Sequence, residues 1–180
     1  NAEKASRGKT LFLVDAKQEG VQARPIPKLG MRCVGSCEVQ LDNAWVPDTH
    51  VIGEVNKGWG HILSTLNNER ILVAAMCTGI LRGVIEEAVK YAQEREAFGK
   101  PIGEFQVIQH WIADMQMRLM QSELLTYNAS WLYAQDLPCG VESSAARAVC
   151  PECATWAPDR GIQILGRMGY WAGSQRRRSW

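Results

Sequence analysis

Two separate stretches of the sequence carry residue types that suit a diphosphate group. The stretch "EREAFGKPIGEFQ" contains Arg95 and Phe98, and the stretch "DRGIQILGRMGY" contains Gly166 and Gly169. A guanidinium offers paired N–H donors to phosphate oxygens, and glycine leaves the nearby backbone N–H groups open to a ligand. A phenyl ring beside them can pack on a planar ring. The two stretches therefore predict an anion-binding site, with a solvent-facing basic corner as the alternative.

A third stretch, "LNNERILVAAMCTG", offers a different chemistry. Asn67 and Asn68 are typical of a helix start or a polar contact, and Glu69 and Arg70 follow them before an apolar run. A glutamate that faces an apolar interior has its pKa raised by desolvation, toward the range of a general base. The alternative is an ordinary surface pair between Glu69 and Arg70.

The cysteines and histidines do not form a recognisable metal-binding pattern. Cys150 and Cys153 have the spacing of half a zinc ribbon or a redox pair, but no second half with matching spacing is present. The other cysteines lie at positions 33, 37, 77 and 139. We expect reduced, structural cysteines and no metal site, which suits the cytosol or an organelle matrix.

Composition excludes several classes of partner. The 180 residues are 46% hydrophobic and 22% charged, with 20 basic against 19 acidic residues and a formal net charge of +1. Such a balance gives no overall field that favours nucleic acid or an anionic membrane. No apolar run approaches the roughly 18 to 20 residues that a membrane helix requires, so no transmembrane segment is expected. The three consecutive arginines at 176–178 are expected to form a solvated tail.

The pattern of hydrophobic residues changes near residue 55. Before it, "TLFLVDA", "VQARPI" and "SCEVQLDNAWVP" read as antiparallel strands separated by glycines and prolines. After it, apolar residues such as Val73, Met76 and Ile80 recur at helical spacing from Trp59 to Ala97.

Two more helices are expected beyond a break at Gly99 and Pro101. The second is predicted over residues 104–134, with Leu124 and Tyr127 among its apolar positions, and the third over 142–165.

Two prolines disturb the third predicted helix. Because an interior proline removes a hydrogen bond, Pro151 and Pro158 are expected to kink or break it. The predicted fold class is α+β, a short antiparallel β segment followed by an antiparallel helical bundle, with domains at residues 1–55 and 56–180.

Several stretches together resemble the acyl-CoA dehydrogenase family. "NNERILVAA", "YAQEREAFGKPIGEFQVIQHWIADM" and "DRGIQILGRMGY" are similar to successive motifs of its C-terminal helical domain. Upstream, "LGMRCVGSCEVQLDNAWVPDTHVIGE" resembles the second half of the family's middle β domain. The likeness covers nearly the whole chain in the right order.

The resemblance implies an FAD flavoprotein of fatty acid metabolism. Family members remove the α-hydrogen of an acyl-CoA thioester as a proton while the β-hydrogen leaves as hydride to the flavin. Electrons then pass to an electron-transferring flavoprotein. Members form homodimers or homotetramers in which one subunit's corner completes its neighbour's FAD site. The location would be cytoplasmic in a bacterium and the mitochondrial matrix in a eukaryote.

The resemblance also assigns roles to individual residues. Glu69 matches the catalytic base of one group of family members, and Asn67 and Arg70 match positions that contact the CoA substrate. The positions that match cofactor contacts are Arg95, Phe98, Gln106, Gln163 and Gly166.

Departures from the family pattern leave alternatives open. Arg167 stands where a second glycine is usual, so it either adds charge for a phosphate or blocks close approach. The alternatives to a dehydrogenase are an acyl-CoA oxidase and a truncated, catalytically silent fragment that serves as an interaction or structural module.

Overall fold

The computed structural model describes residues 8–170, and the chain divides into two units with the boundary between Ser64 and Thr65. The first unit contains short β-strands, and the second is helical apart from a small hairpin. The predicted fold class, strands followed by a helical bundle, is confirmed.

The described part of the first unit contains two antiparallel strand pairs. Strand β1 (Leu11–Phe12) pairs with β4 (Val51–Ile52), and β2 (Val21–Pro25) pairs with β3 (Cys37–Leu41). The strands are shorter than the predicted runs. Strand β3 ends at Leu41 because the chain turns at once through Asn43, whose φ of 51° is left-handed.

Helices dominate the second part of the chain. Helix α1 spans Gly58–Glu94, α2 spans Gln106–Ala134 and α3 spans Gly140–Leu165. A single short turn of helix, α4 (Arg167–Tyr170), follows. These three long helices agree with the predicted ones to within a few residues.

Side-chain contacts fix the directions of the helices. Thr78 of α1 lies 3.4 Å from Thr126 of α2 between hydroxyl oxygens, and further along α1 Arg82 pairs with Glu123. As the position advances along α1 its partner in α2 recedes, so the two helices are antiparallel. The Cys150 Sγ of α3 lies 3.6 Å from the Thr126 hydroxyl, while earlier in α2 Arg118 lies over the ring of Trp156. Helix α3 is therefore antiparallel to α2.

A regular spacing of buried residues holds the bundle together. Along one face of each long helix, buried residues are separated alternately by three and four residues, which is the spacing of helices that pack side by side. They are Ile71, Ala74, Thr78, Leu81, Ile85, Ala88 and Ala92 in α1, Met115, Leu119, Ser122, Thr126 and Ala129 in α2, and Ser143, Ala146, Cys150, Cys153 and Ala157 in α3. Most of these side chains are small, so the helix axes can approach closely.

The sequence predicted a kink or a break at the two prolines, and the break does not occur, because helix α3 runs unbroken through both of them. An interior proline costs about 3 kcal/mol if nothing relieves it. Here Cys150, Cys153 and Ala157 are buried around the two prolines. The Thr155 hydroxyl also donates to the Pro151 carbonyl at 2.8 Å. Tertiary packing on the neighbouring helices therefore offsets the lost backbone hydrogen bonds.

Candidate functional site

A two-stranded hairpin forms the corner between α1 and α2. Strands β5 (Glu96–Ala97) and β6 (Lys100–Pro101) pair antiparallel, and Phe98 and Gly99 connect them. Both connecting residues have positive φ, 54° and 79°, which is the signature of a type I′ turn. Helix α1 therefore ends at Glu94 and not at Ala97, because three residues of the predicted helix belong to the hairpin.

Backbone hydrogen bonds fix Arg95 at the base of this hairpin. Its N–H donates to the Tyr91 carbonyl at 2.8 Å, and its carbonyl accepts from Ile102 N–H at 2.8 Å. Phe98 at the tip is 97% exposed and touches Phe105 edge to face, with ring centroids 6.2 Å apart. A bulky residue with left-handed φ is strained, and such strain collects at ligand sites. The hairpin thus presents an aromatic ring to its surroundings at a conformational cost.

A cavity of about 420 Å³ brings the two predicted anion-binding stretches together. Its lining consists of Tyr91, Arg95, Ile102, Ile164, Leu165, Gly166, Arg167 and Met168. Arg95 from the hairpin and Gly166 from the end of α3 therefore share one cavity, although 70 positions separate them in the sequence. No acidic side chain belongs to that lining.

Gly166 and Gly169 of the second stretch are required for different structural reasons. Gly166 has φ 54° and ψ −130°, a conformation that is open only to glycine, and a Cβ built there meets nothing within 4 Å. A Cβ on Gly169 would lie 2.9 Å from the Ile162 carbonyl oxygen, so that glycine lets α4 pack on α3. Only Gly166 combines open space with an exposed backbone.

Replacement of Gly166 by alanine is expected to lower the free energy of unfolding of the helical unit by about 1–3 kcal/mol, which is the cost of a forbidden backbone conformation. Gly99→Ala is the comparison, because a Cβ on Gly99 also meets nothing within 4 Å. The φ of Gly99, 79°, lies in the left-handed region of turns, which residues other than glycine also adopt. Urea unfolding followed by circular dichroism measures both. A Gly166→Ala loss no larger than that of Gly99→Ala would contradict the prediction.

Three of the predicted cofactor residues lie outside the cavity lining. Phe98, Gln106 and Gln163 are all exposed, and Gln106 begins α2 while Gln163 lies in the last turn of α3. Tyr91 and Arg167, which do line the cavity, were not among the predicted cofactor residues. For Arg167 the sequence had left two roles open, added charge for a phosphate or obstruction of the close approach, and the residue does line the cavity.

A second polar group lies near the start of the helical unit. Arg70 Nη1 donates to Asn67 Oδ1 at 2.9 Å, and the Ser143 hydroxyl donates to the same oxygen at 3.3 Å. Asn67 and Arg70 thus form one hydrogen-bonded group instead of a pair between Arg70 and Glu69. The Glu69 side chain is exposed on α1, so within this chain it does not face an apolar interior, and its carboxylate is open to a ligand.

The polar group around Asn67 and Arg70 and the cavity beside Arg95 lie far apart along helix α1. Glu69 is near the beginning of the helical unit and Glu94 is the last residue of α1. At 1.5 Å per residue, a straight helix places these two positions about 38 Å apart. A single chain therefore does not bring Glu69 and Arg95 to one small molecule.

Three of the six cysteines lie in the core, and Cys33 and Cys37 are exposed. All six are unpaired, and Cys139, Cys150 and Cys153 are buried. Burial, followed by the neighbouring Cys150, raises the pKa of the Cys77 thiol, which keeps it protonated at neutral pH. Across residues 8–170 no group of three or more potential metal ligands converges. Within that same range no helix has the length and apolar character needed to cross a membrane.

Comparison with known proteins identifies the family. Residues 56–180 match the model of the acyl-CoA dehydrogenase C-terminal domain. The chain is 38% identical over 168 residues to a 3-(aryl)acrylate reductase from Clostridium sporogenes, covering 93% of this chain and 45% of that protein. It is 36% identical over 168 residues to the CarC subunit of the caffeyl-CoA reductase–Etf complex from Acetobacterium woodii, covering 93% and 44%.

A solved structure shows the same architecture. Butyryl-CoA dehydrogenase from Megasphaera elsdenii superposes with a TM-score of 0.90 at 29% identity, covering 99% of this chain and 47% of that one. The chain thus spans somewhat less than half the length of these relatives. The matching family model, which covers well over half of the residues, shows that the chain belongs to the acyl-CoA dehydrogenase family, whose members are FAD-dependent oxidoreductases.

Proposed function

We propose that the complete protein catalyses FAD-dependent α,β-dehydrogenation of an acyl-CoA thioester. The observation that carries this proposal is the cavity that unites Arg95 and Gly166. Its lining has basic side chains and no acidic one, so it suits an anionic group such as the diphosphate of a dinucleotide.

The cofactor contacts would come from the corner and from the end of α3. Arg95 would bind the diphosphate through its guanidinium, and Gly166 would let the ligand approach the backbone. Exposed Phe98, Gln106 and Gln163 would contact the remaining parts of the dinucleotide. When bound, FAD supplies an acceptor for the hydride that leaves the β-carbon.

Glu69 would remove the α-proton of the thioester. Its carboxylate is exposed, whereas the neighbouring Arg70 is held by Asn67 at 2.9 Å. That hydrogen bond leaves other N–H donors of the guanidinium for a phosphate or carbonyl oxygen of CoA. Asn67 therefore orients Arg70, and Arg70 would orient the substrate beside Glu69.

The separation of about 38 Å along α1 favours a homo-oligomer. A dinucleotide is shorter than this, so one molecule of FAD does not reach both Arg95 and Glu69 of the same chain. We infer that Arg95 completes the FAD site of a neighbouring subunit while Glu69 serves the substrate of its own subunit. A homodimer is the minimum assembly that satisfies this arrangement, and a homotetramer also does.

The second candidate function is the reverse reaction, the reduction of an unsaturated acyl-CoA thioester. Two relatives are named as reductases, and one of them is a subunit of a complex with Etf. The same glutamate, when protonated, would deliver a proton to the α-carbon of an unsaturated thioester, while the β-carbon would receive a hydride from reduced FAD. An electron-transferring flavoprotein is the proposed electron partner in either direction. The cytoplasm of a bacterium or the mitochondrial matrix would suit such a pair.

Replacement of Arg95 by alanine in the full-length protein tests the cofactor site. A charge-assisted hydrogen bond contributes about 1.5–3 kcal/mol, so the dissociation constant of FAD is expected to rise about 10- to 100-fold. Titration of FAD into the stripped protein, followed by flavin fluorescence, measures it. Arg147→Ala is the matched control, because Arg147 is an exposed arginine of α3 outside the cavity lining.

Unchanged FAD affinity in Arg95→Ala would contradict the role of the corner. Wild-type protein that keeps its helical content but binds no FAD would instead support a silent structural module. Rapid reoxidation of the reduced flavin by oxygen would identify an oxidase.

A further inference from the structure

We propose that Arg167 is a second phosphate-binding arginine, so that the cavity at the end of α3 binds a diphosphate between two guanidinium groups. This inference rests on the proposed dinucleotide site and adds to it a residue and a charge requirement. The ligand class is an organic or inorganic diphosphate, of which the FAD diphosphate is one source and a free adenine nucleotide another.

The first observation is that two arginines line one cavity and no acidic side chain in the lining compensates their positive charges. Arg95 and Arg167 both belong to the lining of the cavity of about 420 Å³, and that lining contains no aspartate or glutamate. Within residues 8–170 neither arginine forms an ion pair. By contrast, Arg82 pairs with Glu123, and Arg160 contacts Asp159 and two tryptophan rings.

Two like charges at one cavity repel each other, and the repulsion is stronger in a recess than in bulk water. An anion with two or more charges removes this repulsion and gains bidentate hydrogen bonds from each planar guanidinium. A singly charged carboxylate offers only two oxygen atoms and one charge. The charge of the site therefore fits a diphosphate better than a carboxylate.

The second observation is that Arg167 leaves the backbone at Gly166 accessible. A Cβ placed on Gly166 meets nothing within 4 Å, so the space beside this residue is open although an arginine follows it. The remaining lining residues (Tyr91, Ile102, Ile164, Leu165 and Met168) are largely apolar. An apolar wall lowers the local polarity and strengthens the attraction between the guanidinium groups and a phosphate.

The test compares Arg167→Gln with Arg167→Lys in the full-length protein after removal of FAD. Calorimetric titration with ADP and with inorganic pyrophosphate measures the affinity for each diphosphate. Arg167→Gln is expected to weaken both about 10-fold or more, because a charged hydrogen-bond donor is lost. Arg167→Lys keeps the charge and should recover part of the affinity. Arg147→Gln is the control and should bind like the wild type.

Ionic strength gives an independent measurement. Attraction between charges is screened by salt, so the affinity of the wild type for pyrophosphate should fall as salt is added. Arg167→Gln should show a shallower dependence on salt than Arg147→Gln. Binding of ADP that far exceeds binding of pyrophosphate would identify a nucleotide as the source of the diphosphate, and equal binding would identify the diphosphate alone.

Several outcomes separate this inference from the proposed function. Affinities and salt dependence unchanged in Arg167→Gln would overturn it, and tighter binding by that variant would show that Arg167 obstructs the cavity. FAD binding that depends on Arg95 but not on Arg167 would keep the proposed function and reject the second arginine. Arg167-dependent binding of pyrophosphate in a protein that does not bind FAD would keep this inference and reject the proposed function.

Discussion

Replacement of Glu69 by glutamine in the full-length protein is expected to slow flavin bleaching by an acyl-CoA about 1,000-fold or more, with FAD still bound. Glutamine has nearly the same shape as glutamate but does not accept a proton at neutral pH. General-base catalysis contributes about 10²–10⁴-fold, and this loss lies in the upper part of that range because α-proton removal would begin the reaction. Anaerobic stopped-flow absorbance measures the rate of bleaching.

The matched control is Glu86→Gln, which changes an exposed glutamate of the same helix. It should bleach at the wild-type rate. Glu69→Asp keeps the carboxylate but shortens the side chain, so an intermediate rate is expected. Wild-type bleaching in Glu69→Gln would remove Glu69 from the chemistry and require a base elsewhere in the complete protein.

Replacement of Trp156 by alanine should lower the free energy of unfolding of the helical unit by about 3 kcal/mol, the lower end for loss of a core tryptophan. Trp156 is partly buried and packs against the core of the bundle. The Arg118 guanidinium lies 4.3 Å from its ring centroid and the Arg160 guanidinium 5.4 Å, and each such contact contributes about 0.5–2 kcal/mol. Alanine removes the hydrophobic contact of the Trp156 ring with the core and both cation–π contacts.

Urea unfolding followed by circular dichroism measures the effect. Trp156→Phe keeps an aromatic ring and should lose less than half as much stability. A double-mutant cycle with Arg118→Ala isolates the contact between α2 and α3, with an expected coupling of about 0.5–1 kcal/mol. A loss below 1 kcal/mol for Trp156→Ala would show that the ring contributes little to helix packing.

Helix existence could be predicted from the sequence more easily than helix orientation. The large apolar residues gave the helical period, yet Met76, Leu124 and Tyr127 are 43%, 70% and 63% exposed. Small residues occupy the contact surfaces between the helices. Thr126 is buried there, whereas Leu124 and Tyr127 are exposed. Large hydrophobic residues do not reveal such a contact surface, because helices that pack closely require small side chains more than hydrophobic ones.

The hairpin and the unbroken α3 were not predictable from local preferences. Phe98 is an unusual residue for left-handed φ, so a type I′ turn at Phe98 and Gly99 contradicts ordinary turn preferences. Pro151 and Pro158 oppose a helix locally but are held in one by packing. At the two prolines, tertiary packing outweighs the preference of the individual residue. Phe98 is almost fully exposed, so its conformation is set by the pairing of the flanking strands β5 and β6.

The candidate site was predicted in part. Sequence reasoning paired Arg95 with Gly166 by their chemistry, and the structure places both at one cavity. It did not find Tyr91, because a tyrosine in a helical stretch carries no distinctive signal. Residue chemistry alone also did not separate Gly169, whose neighbour is the Ile162 carbonyl, from Gly166, which borders open space; only the family resemblance singled out Gly166. Sequence letters do not distinguish a glycine needed for packing from one needed beside a cavity.

The unbroken course of α1 has a consequence for how this protein can change over evolutionary time. One added residue between Glu69 and Glu94 would rotate the two ends of the helix by about 100° relative to each other and lengthen it by about 1.5 Å. Substitutions along this segment can be accepted one at a time, whereas a single-codon insertion or deletion would misalign both ends at once. The connection at residues 135–139 between α2 and α3 carries no such constraint, so length variation among descendants of this gene should accumulate there.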